Sequence, residues 1–500
     1  MTIRCTARFP LGGRTPLPLH RFRQILADRT RRGERLLALF AERSGEEFRL
    51  HGLFGGEGLL SHEWAILPPA SFRTLTGECL AVHWFEREIH DQFGILPEEH
   101  PEGNPLRLHE GWPEDFFPLR GPVPGGTPRR EYRFLSVKGE GIHEVPVGPV
   151  HAGIIEPGHF RFSCAGETVQ NLEIRLGYQH KGTESLLPGA PGMRQILLAE
   201  SISGDSAVAH ANACARLLEA AAGTPAGGEA ERWRSVALEI ERIANHCGDL
   251  GGLATDIGYL FGASHFGRLR GQALNLLMRI TGNRYGRGLN RIGGIGPSVP
   301  RIDAAALSRL LPPLAREVEE TGGTMLSAPS VLARMEDIGR LLPETARTFG
   351  IVGPAGRASG QPGDVRRDFP SPAFATHPVS PVVRTEGDVL ARARVRHEEM
   401  IASFRWLEKA LSGPPPETGA SEETRPDRHP VLVVSLEEGW RGEIVHAALF
   451  GNDGTILRYK AVDPSFRNWI GLSFAIRKNV ISDFPLCNKS FNLSYSGADL

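Results

Sequence analysis

The chain has 500 residues, with 57 Lys and Arg against 58 Asp and Glu, so net charge gives no reason to expect nucleic acid or an anionic membrane surface as a partner. Its six cysteines, Cys5, Cys79, Cys164, Cys214, Cys247 and Cys487, form no C-x-x-C pair, which argues against a zinc knuckle, an iron–sulfur cluster in this chain or a disulfide framework, and for a reducing cytoplasmic setting. The first residues lack the apolar core of a secretory signal and no window reaches the ~18 apolar residues of a membrane span, so any work at a membrane requires other chains to hold this one there.

Residues 1–120 read as a first unit. Val82 to Ile95 repeats apolar residues at helical spacing and Gly94 stops the run. His100-Pro101, Trp112-Pro113 and Pro118-Leu119-Arg120 follow. This succession, with Glu86-Arg87-Glu88 and Asp91 three residues before Gly94, resembles the C-type subunit of respiratory complex I. The resemblance implies a small mixed α/β docking domain. Gly121 to Pro128 is dense in Gly and Pro, so residues 121–131 are expected to be a linker.

The second unit, residues 132–500, opens with Gly148-Pro149-Val150-His151, a turn, and continues with His159 to Val169, which alternates and turns at Gly166 as a hairpin. Gly177-Tyr178-Gln179-His180-Lys181-Gly182-Thr183-Glu184 closes this part. Together they resemble the opening of the D-type subunit of complex I and of the related hydrogenase large subunits. From Pro191 to Leu411 the pattern is mainly helical, with strong amphipathic stretches at Trp233–Leu250 and Phe266–Ile280. Further landmarks of the D-type subunit follow in order, including Val352 to Gly360 and Asp364 to Asp368. Residues 412–428 carry almost no apolar side chain and are expected to form a mobile surface loop. A hairpin is expected around Gly451-Asn452-Asp453-Gly454, with Asp463-Pro464 leading into the last segment. The predicted class is α+β: a docking domain followed by a large, mainly helical domain with a small β-sheet.

Residues 482–500 do not read as a frayed end. Phe484, Leu486, Phe491, Leu493 and Tyr495 anchor the segment, and it is expected to be buried. Asn492 to Gly497 resembles the Asp-Pro-Cys-x-x-Cys ligand run of nickel-iron hydrogenase large subunits, with Ser494 and Gly497 at the cysteine positions. Ser203-Gly204-Asp205-Ser206, with His210 four residues later, resembles the matching Cys-Gly-x-Cys segment, with serine at both cysteine positions. Nickel and iron in such a site need soft thiolates, so the resemblance implies that the metal chemistry has been deleted and no metal is expected.

The D-type subunit of complex I uses the same cavity for quinone reduction, and there the resemblance offers His151, while the second loop histidine falls at Ile154 and the tyrosine at about Gly204. It also implies a cavity containing Asp205, His210, Glu184, Arg357 and Tyr495, with His151, Asp205 and His210 as catalytic candidates. Each has a structural alternative. His151 fits a satisfied loop histidine as well as a proton donor, and Asp205 fits a helix cap. His210 fits a hydrogen bond to Asp205, and Glu184 with Arg357 fits a buried ion pair. The replacements Ser, Ser, Ser and Gly are all small, which leaves room for an open cavity.

The resemblance as a whole implies a fused C/D-type subunit of an energy-converting, hydrogenase-related complex, peripheral on the cytoplasmic face of the inner membrane. Its expected partners are a small iron–sulfur subunit, which holds the cluster, and antiporter-like and other membrane subunits, with no nucleic acid. No cofactor is expected on this chain, with quinone as the candidate ligand. The rival readings are a working quinone-binding oxidoreductase and a scaffold whose cavity has closed.

Overall fold

Local sequence decides most of the elements. The computed structural model describes residues 4–120, 131–151, 155–296, 304–417 and 430–500. Strand β1 (Thr6–Pro10) and helix α1 (Leu19–Arg31) precede an antiparallel meander of β2 (Arg35–Ser44), β3 (Glu47–Gly56) and β4 (Leu59–Leu67). A short parallel pair, β5 (Ser71–Arg73) and β6 (Leu96–Glu98), flanks α2 (His83–Phe93). That helix ends where predicted: Gly94 adopts φ 73°, and its N–H bonds the His90 carbonyl, a left-handed close that glycine makes without strain.

A second antiparallel sheet contains β7 (Ile142–Val147), β8 (His159–Ala165) and β9 (Thr168–Arg175), the last two forming the hairpin expected at Gly166. Helices α3 (Thr183–Leu186), α4 (Gly192–Glu200), α5 (Ala207–Ala222), α6 (Gly228–Asp256) and α7 (Leu260–Thr281) follow. After the small β10–β11 pair (Asn290–Arg291 and Gly294–Ile295) comes α8 (Ala304–Ser327). The long helices α6, α7, α8 and Val389–Ser412 bury one another around Trp233, Ile240, Leu250, Leu269 and Met400.

The sheet nearest the site is built from β12 (Val431–Gly439), β13 (Gly442–Phe450) and β14 (Ile456–Val462), the last pair being the expected hairpin. Every residue of β12 and β13 is buried. The two-residue period explains why: Leu432, Val434, Leu436, Val445 and Ala447 face a core shared with the amino-terminal unit, while Val431, Val433, Ala448 and Tyr459 face α4 and α5. Strand β1 pairs with β12, from Thr6 opposite Ser435 to Pro10 opposite Val431. The sheet of residues 132–500 therefore takes an edge strand from the segment 1–120, which covers backbone groups that β12 would otherwise leave unpaired.

The predicted linker, residues 121–131, lies outside the described residues except for Glu131, and residues 418–428 of the predicted loop 412–428 also lie outside them. Residues 482–500 are largely buried, as their apolar anchors predict, with Phe491, Leu493, Tyr495 and Leu500 at 2–5% exposure.

Candidate functional site

Three segments meet at the site. The turn before α5 carries Ser203, Gly204, Asp205 and Ser206. The β12–β13 hairpin closes through a two-residue turn, Trp440-Arg441, between paired Gly439 and Gly442. The helix Phe484–Phe491 ends on Asn492 in the left-handed region (φ 46°), which swings Ser494 inward to cap the last helix, its Oγ accepting from Gly497 N–H at 2.9 Å.

Arg441 joins all three. Its guanidinium donates to both carboxylate oxygens of Asp205 at 2.5 and 2.8 Å, to Ser203 Oγ at 3.3 Å, to Ser206 Oγ at 3.4 Å and to the Asn492 carbonyl at 2.5 Å. Ser203 Oγ lies 3.0 Å from Ser494 Oγ, although 291 residues separate them. The Trp440 ring stacks under the guanidinium at 3.9 Å, and its Nε1 donates to the Asp205 carbonyl at 2.9 Å. Burial disfavours the charge on Arg441, but the Asp205 carboxylate outweighs it and raises the guanidinium pKa.

Behind this pair lies a fully buried chain of titratable groups. Asp463 Oδ2 is 3.0 Å from His210 Nε2, His210 Nδ1 is 3.0 Å from His446 Nε2, and His446 Nδ1 is 2.6 Å from the Tyr459 hydroxyl. Two proton arrangements satisfy every link: with both imidazoles neutral, Tyr459 donates to His446, His446 to His210 and His210 to Asp463; with His210 protonated, it donates to both Asp463 and His446, and His446 donates to Tyr459. Burial and the neighbouring His210 hold the His446 pKa well below its ordinary value. Burial raises the Asp463 carboxyl, but the hydrogen bond and charge of His210, with the nearby Arg441 guanidinium, together more than offset it and hold it below the usual carboxylate range.

A cleft of about 590 Å³ opens on Ser203, Gly204, Asp205 and Ser494, with Glu156, Arg270, Asn283, Tyr285 and Arg287 on its other walls.

Residues 63–129 match the family described as respiratory-chain NADH dehydrogenase, 30 Kd subunit, and residues 256–431 match the 49 Kd subunit of the same enzyme. The chain is 31% identical over 440 residues to formate hydrogenlyase subunit 5 of Escherichia coli, covering 86% of this chain and 77% of that one. Hydrogenase-4 component G of Escherichia coli is 30% identical, with 86% of this chain and 76% of the relative covered. The C/D subunit of the NADH-quinone oxidoreductase of Phocaeicola vulgatus is 27% identical over 71% of each chain. The chain belongs to this family of fused complex I-type and hydrogenase-related subunits.

Ser203, Ser206 and Ser494, which the resemblance compares with thiolate ligands, meet around Arg441, and their chemistry does not suit nickel and iron. Ser203, Ser206 and Ser494 offer hydroxyl oxygens, which are hard, neutral donors, and a guanidinium stands among them, where it opposes a metal cation. The fourth position is closed: a Cβ built on Gly497 would lie 2.6 Å from Asp463 Cγ. Gly497→Ala is therefore expected to destabilise the chain by about 1–3 kcal/mol through overpacking. Chemical denaturation with an unchanged midpoint would show that Asp463 yields freely.

The other candidates separate. Asp205 does not cap α5; Ser206 holds the N-cap position without a side-chain bond, because Asp205 is drawn to Arg441 instead. His210 bonds Asp463 and His446 rather than Asp205, since its place in the first turn of α5 faces the sheet. Glu184 and Arg357 do not pair. Glu184 binds Lys460 at 2.9 Å, Arg458 at 2.7 Å and Gln92 at 2.9 Å, while Arg357 binds Glu399 at 2.7 Å and Glu438 at 2.8 Å in a different buried cluster. In that cluster, burial and the Asp364 charge push the Glu438 carboxyl up to about 7.

His151 and Tyr495 stand behind the cleft, on either side of Gly158: His151 Nε2 lies 3.1 Å from the Gly158 carbonyl, and Tyr495 packs on Trp469 with ring centroids 4.8 Å apart. Burial raises the Tyr495 phenol to about 12. Ile154 lies outside the described residues. Arg441, Asp463, His446 and Tyr459 carry the site without having been singled out. The available signal was charge balance: an aspartate in a segment without thiolates needs a cation, and Arg441 in a tight turn of the last sheet supplies it.

Proposed function

We propose that this chain is the subunit of a complex I-like, hydrogenase-related complex that couples electron arrival at a neighbouring iron–sulfur subunit to ion movement through antiporter-like membrane subunits, without a nickel-iron centre of its own. The observation that carries this reading is the Arg441–Asp205 pair standing among Ser203, Ser206 and Ser494, where the family resemblance places thiolates. No helix among the described residues is long and apolar enough to cross a membrane, which agrees with attachment through partner chains.

The test is to purify the complex in mild detergent through a tag on this chain and to measure nickel, hydrogen uptake and copurifying chains. No stoichiometric nickel, no hydrogen uptake and an iron–sulfur chain in the preparation are the expected results. One nickel per chain would sink the reading.

The cleft of about 590 Å³ beside Asp205 favours one second reading, a quinone-reducing site. Quinone reduction by the same preparation that falls in both His151→Ala and Asp205→Asn would establish it. Activity indifferent to both would remove it.

A further inference from the structure

The cleft beside the Arg441–Asp205 pair holds two more guanidinium groups, those of Arg270 and Arg287. Among the described residues no carboxylate lies within ion-pair distance of either, and neither guanidinium donates a hydrogen bond to one of them. The Arg270 Nε is buried with no acceptor, 3.2 Å from where a methyl on Gly248 would stand. Arg287 approaches the cleft floor, 3.8 Å from the corresponding point on Gly204. This differs from the treatment of cations elsewhere in the fold, where buried arginines such as Arg357 and Arg441 meet carboxylates directly.

The charges in the cleft do not cancel. Asp205 is neutralised from behind by Arg441. Glu156 is the remaining acid on the lining, and its Oε2 accepts the Tyr495 backbone N–H at 3.1 Å. Two arginines against one carboxylate leave one positive charge facing a cavity of about 590 Å³, within the range that holds small ligands. Asn283 adds a neutral donor: its Oδ1 already accepts the Tyr285 N–H at 2.8 Å, which leaves the amide NH₂ for a ligand.

We propose that the cleft binds a small planar monoanion, a carboxylate or an oxyanion of the same shape, between Arg270 and Arg287. A guanidinium matches two oxygens of such a group with two parallel N–H bonds, a geometry that a lysine does not offer. The inference deepens the reading that no metal cluster fills this space. It gives the vacated site an occupant of the opposite charge to a metal ion, and one with no need of thiolates.

The experiment is calorimetric titration of the purified complex with sodium acetate against a sodium chloride control at equal ionic strength. Saturable acetate binding with Kd of about 1 mM is expected, weakened at least about tenfold in Arg270→Gln and in Arg287→Gln. Neither side chain forms an ion pair among the described residues, so both variants should keep the wild-type melting temperature, and the titration then reports binding alone. No saturable heat, or acetate binding that survives both substitutions, would overturn the proposal. Nickel measured on the same preparation tests the underlying reading separately: a nickel-free complex that ignores acetate defeats only the anion site, whereas stoichiometric nickel defeats both.

Discussion

Lys460→Met is expected to destabilise the folded chain by about 3–5 kcal/mol. The ammonium is 1% exposed and stands 2.6 Å from both oxygens of Glu88 and 2.9 Å from Glu184. Glu88 lies on α2 and Glu184 on α3, so one lysine on β14 neutralises carboxylates from the amino-terminal unit and from the later one. Arg107 binds Glu88 at 2.6 Å and Arg458 binds Glu184 at 2.7 Å, so each acid keeps one cation when the lysine goes. What remains is two carboxylates sharing a dry space with the central positive charge removed, and their mutual repulsion is unscreened there. Methionine fills the volume of the lysine stem, so the loss reads charge rather than a cavity. Adding Glu88→Gln to the lysine variant should recover a part of the loss, because it removes one of the two carboxylates that repel each other across the vacated space. A loss below about 1 kcal/mol in urea denaturation would mean that water reaches these carboxylates and that the cluster does not join the two units.

That joint shows where sequence stops being informative. Helix α2 was legible because a 3.6-residue apolar period ends on Gly94, and the β8–β9 hairpin because its side chains alternate up to Gly166. Both signals are local, and the backbone has few ways to answer them. The convergence of Ser203 on Ser494 was legible only through resemblance, since nothing in either segment refers to the other. Arg441 was illegible for a different reason. Trp440, Arg441 and Gly442 read as the start of a hairpin strand, with nothing local to mark the arginine, and what holds it is an aspartate 236 residues earlier. In the sequence, Glu184 and Arg357 suggest each other as partners because each needs a countercharge. Position in the fold gave them different partners, with Lys460 and Arg458 brought by β14 and Glu399 by the helix Val389–Ser412. The apolar run Val431-Leu432-Val433-Val434 carried the signal for β12, yet its pairing with β1, more than 400 positions away, had no local trace.

Asp499 gives the buried carboxy-terminal segment a measurable pH dependence. Burial raises its carboxyl to about 6, against the hydrogen bonds from Gly177 and Gln179 N–H that favour the ionised form. A carboxyl whose folded pKa lies above its unfolded one binds protons more tightly in the native state. Its contribution to stability is therefore complete below about pH 4 and lost as pH rises through 6. A shift of about two units corresponds to about 3 kcal/mol at full ionisation. Other buried acids run the opposite way: Lys460 and Arg458 overcome burial to hold Glu184 low, so that group loses its contribution only as pH falls below the ordinary carboxylate range. The slope of the wild-type protein alone mixes these terms, and the difference from Asp499→Asn isolates one of them. Asparagine does not titrate, so the variant should gain on the wild type by about 2 kcal/mol between pH 4.5 and pH 7.5, whatever its starting penalty for the lost second acceptor. A difference between the two proteins that stays flat across that interval would place the Asp499 carboxyl at an ordinary pKa. The carboxylate would then be hydrated, and residues 482–500 would not seal the floor of the site as their burial implies.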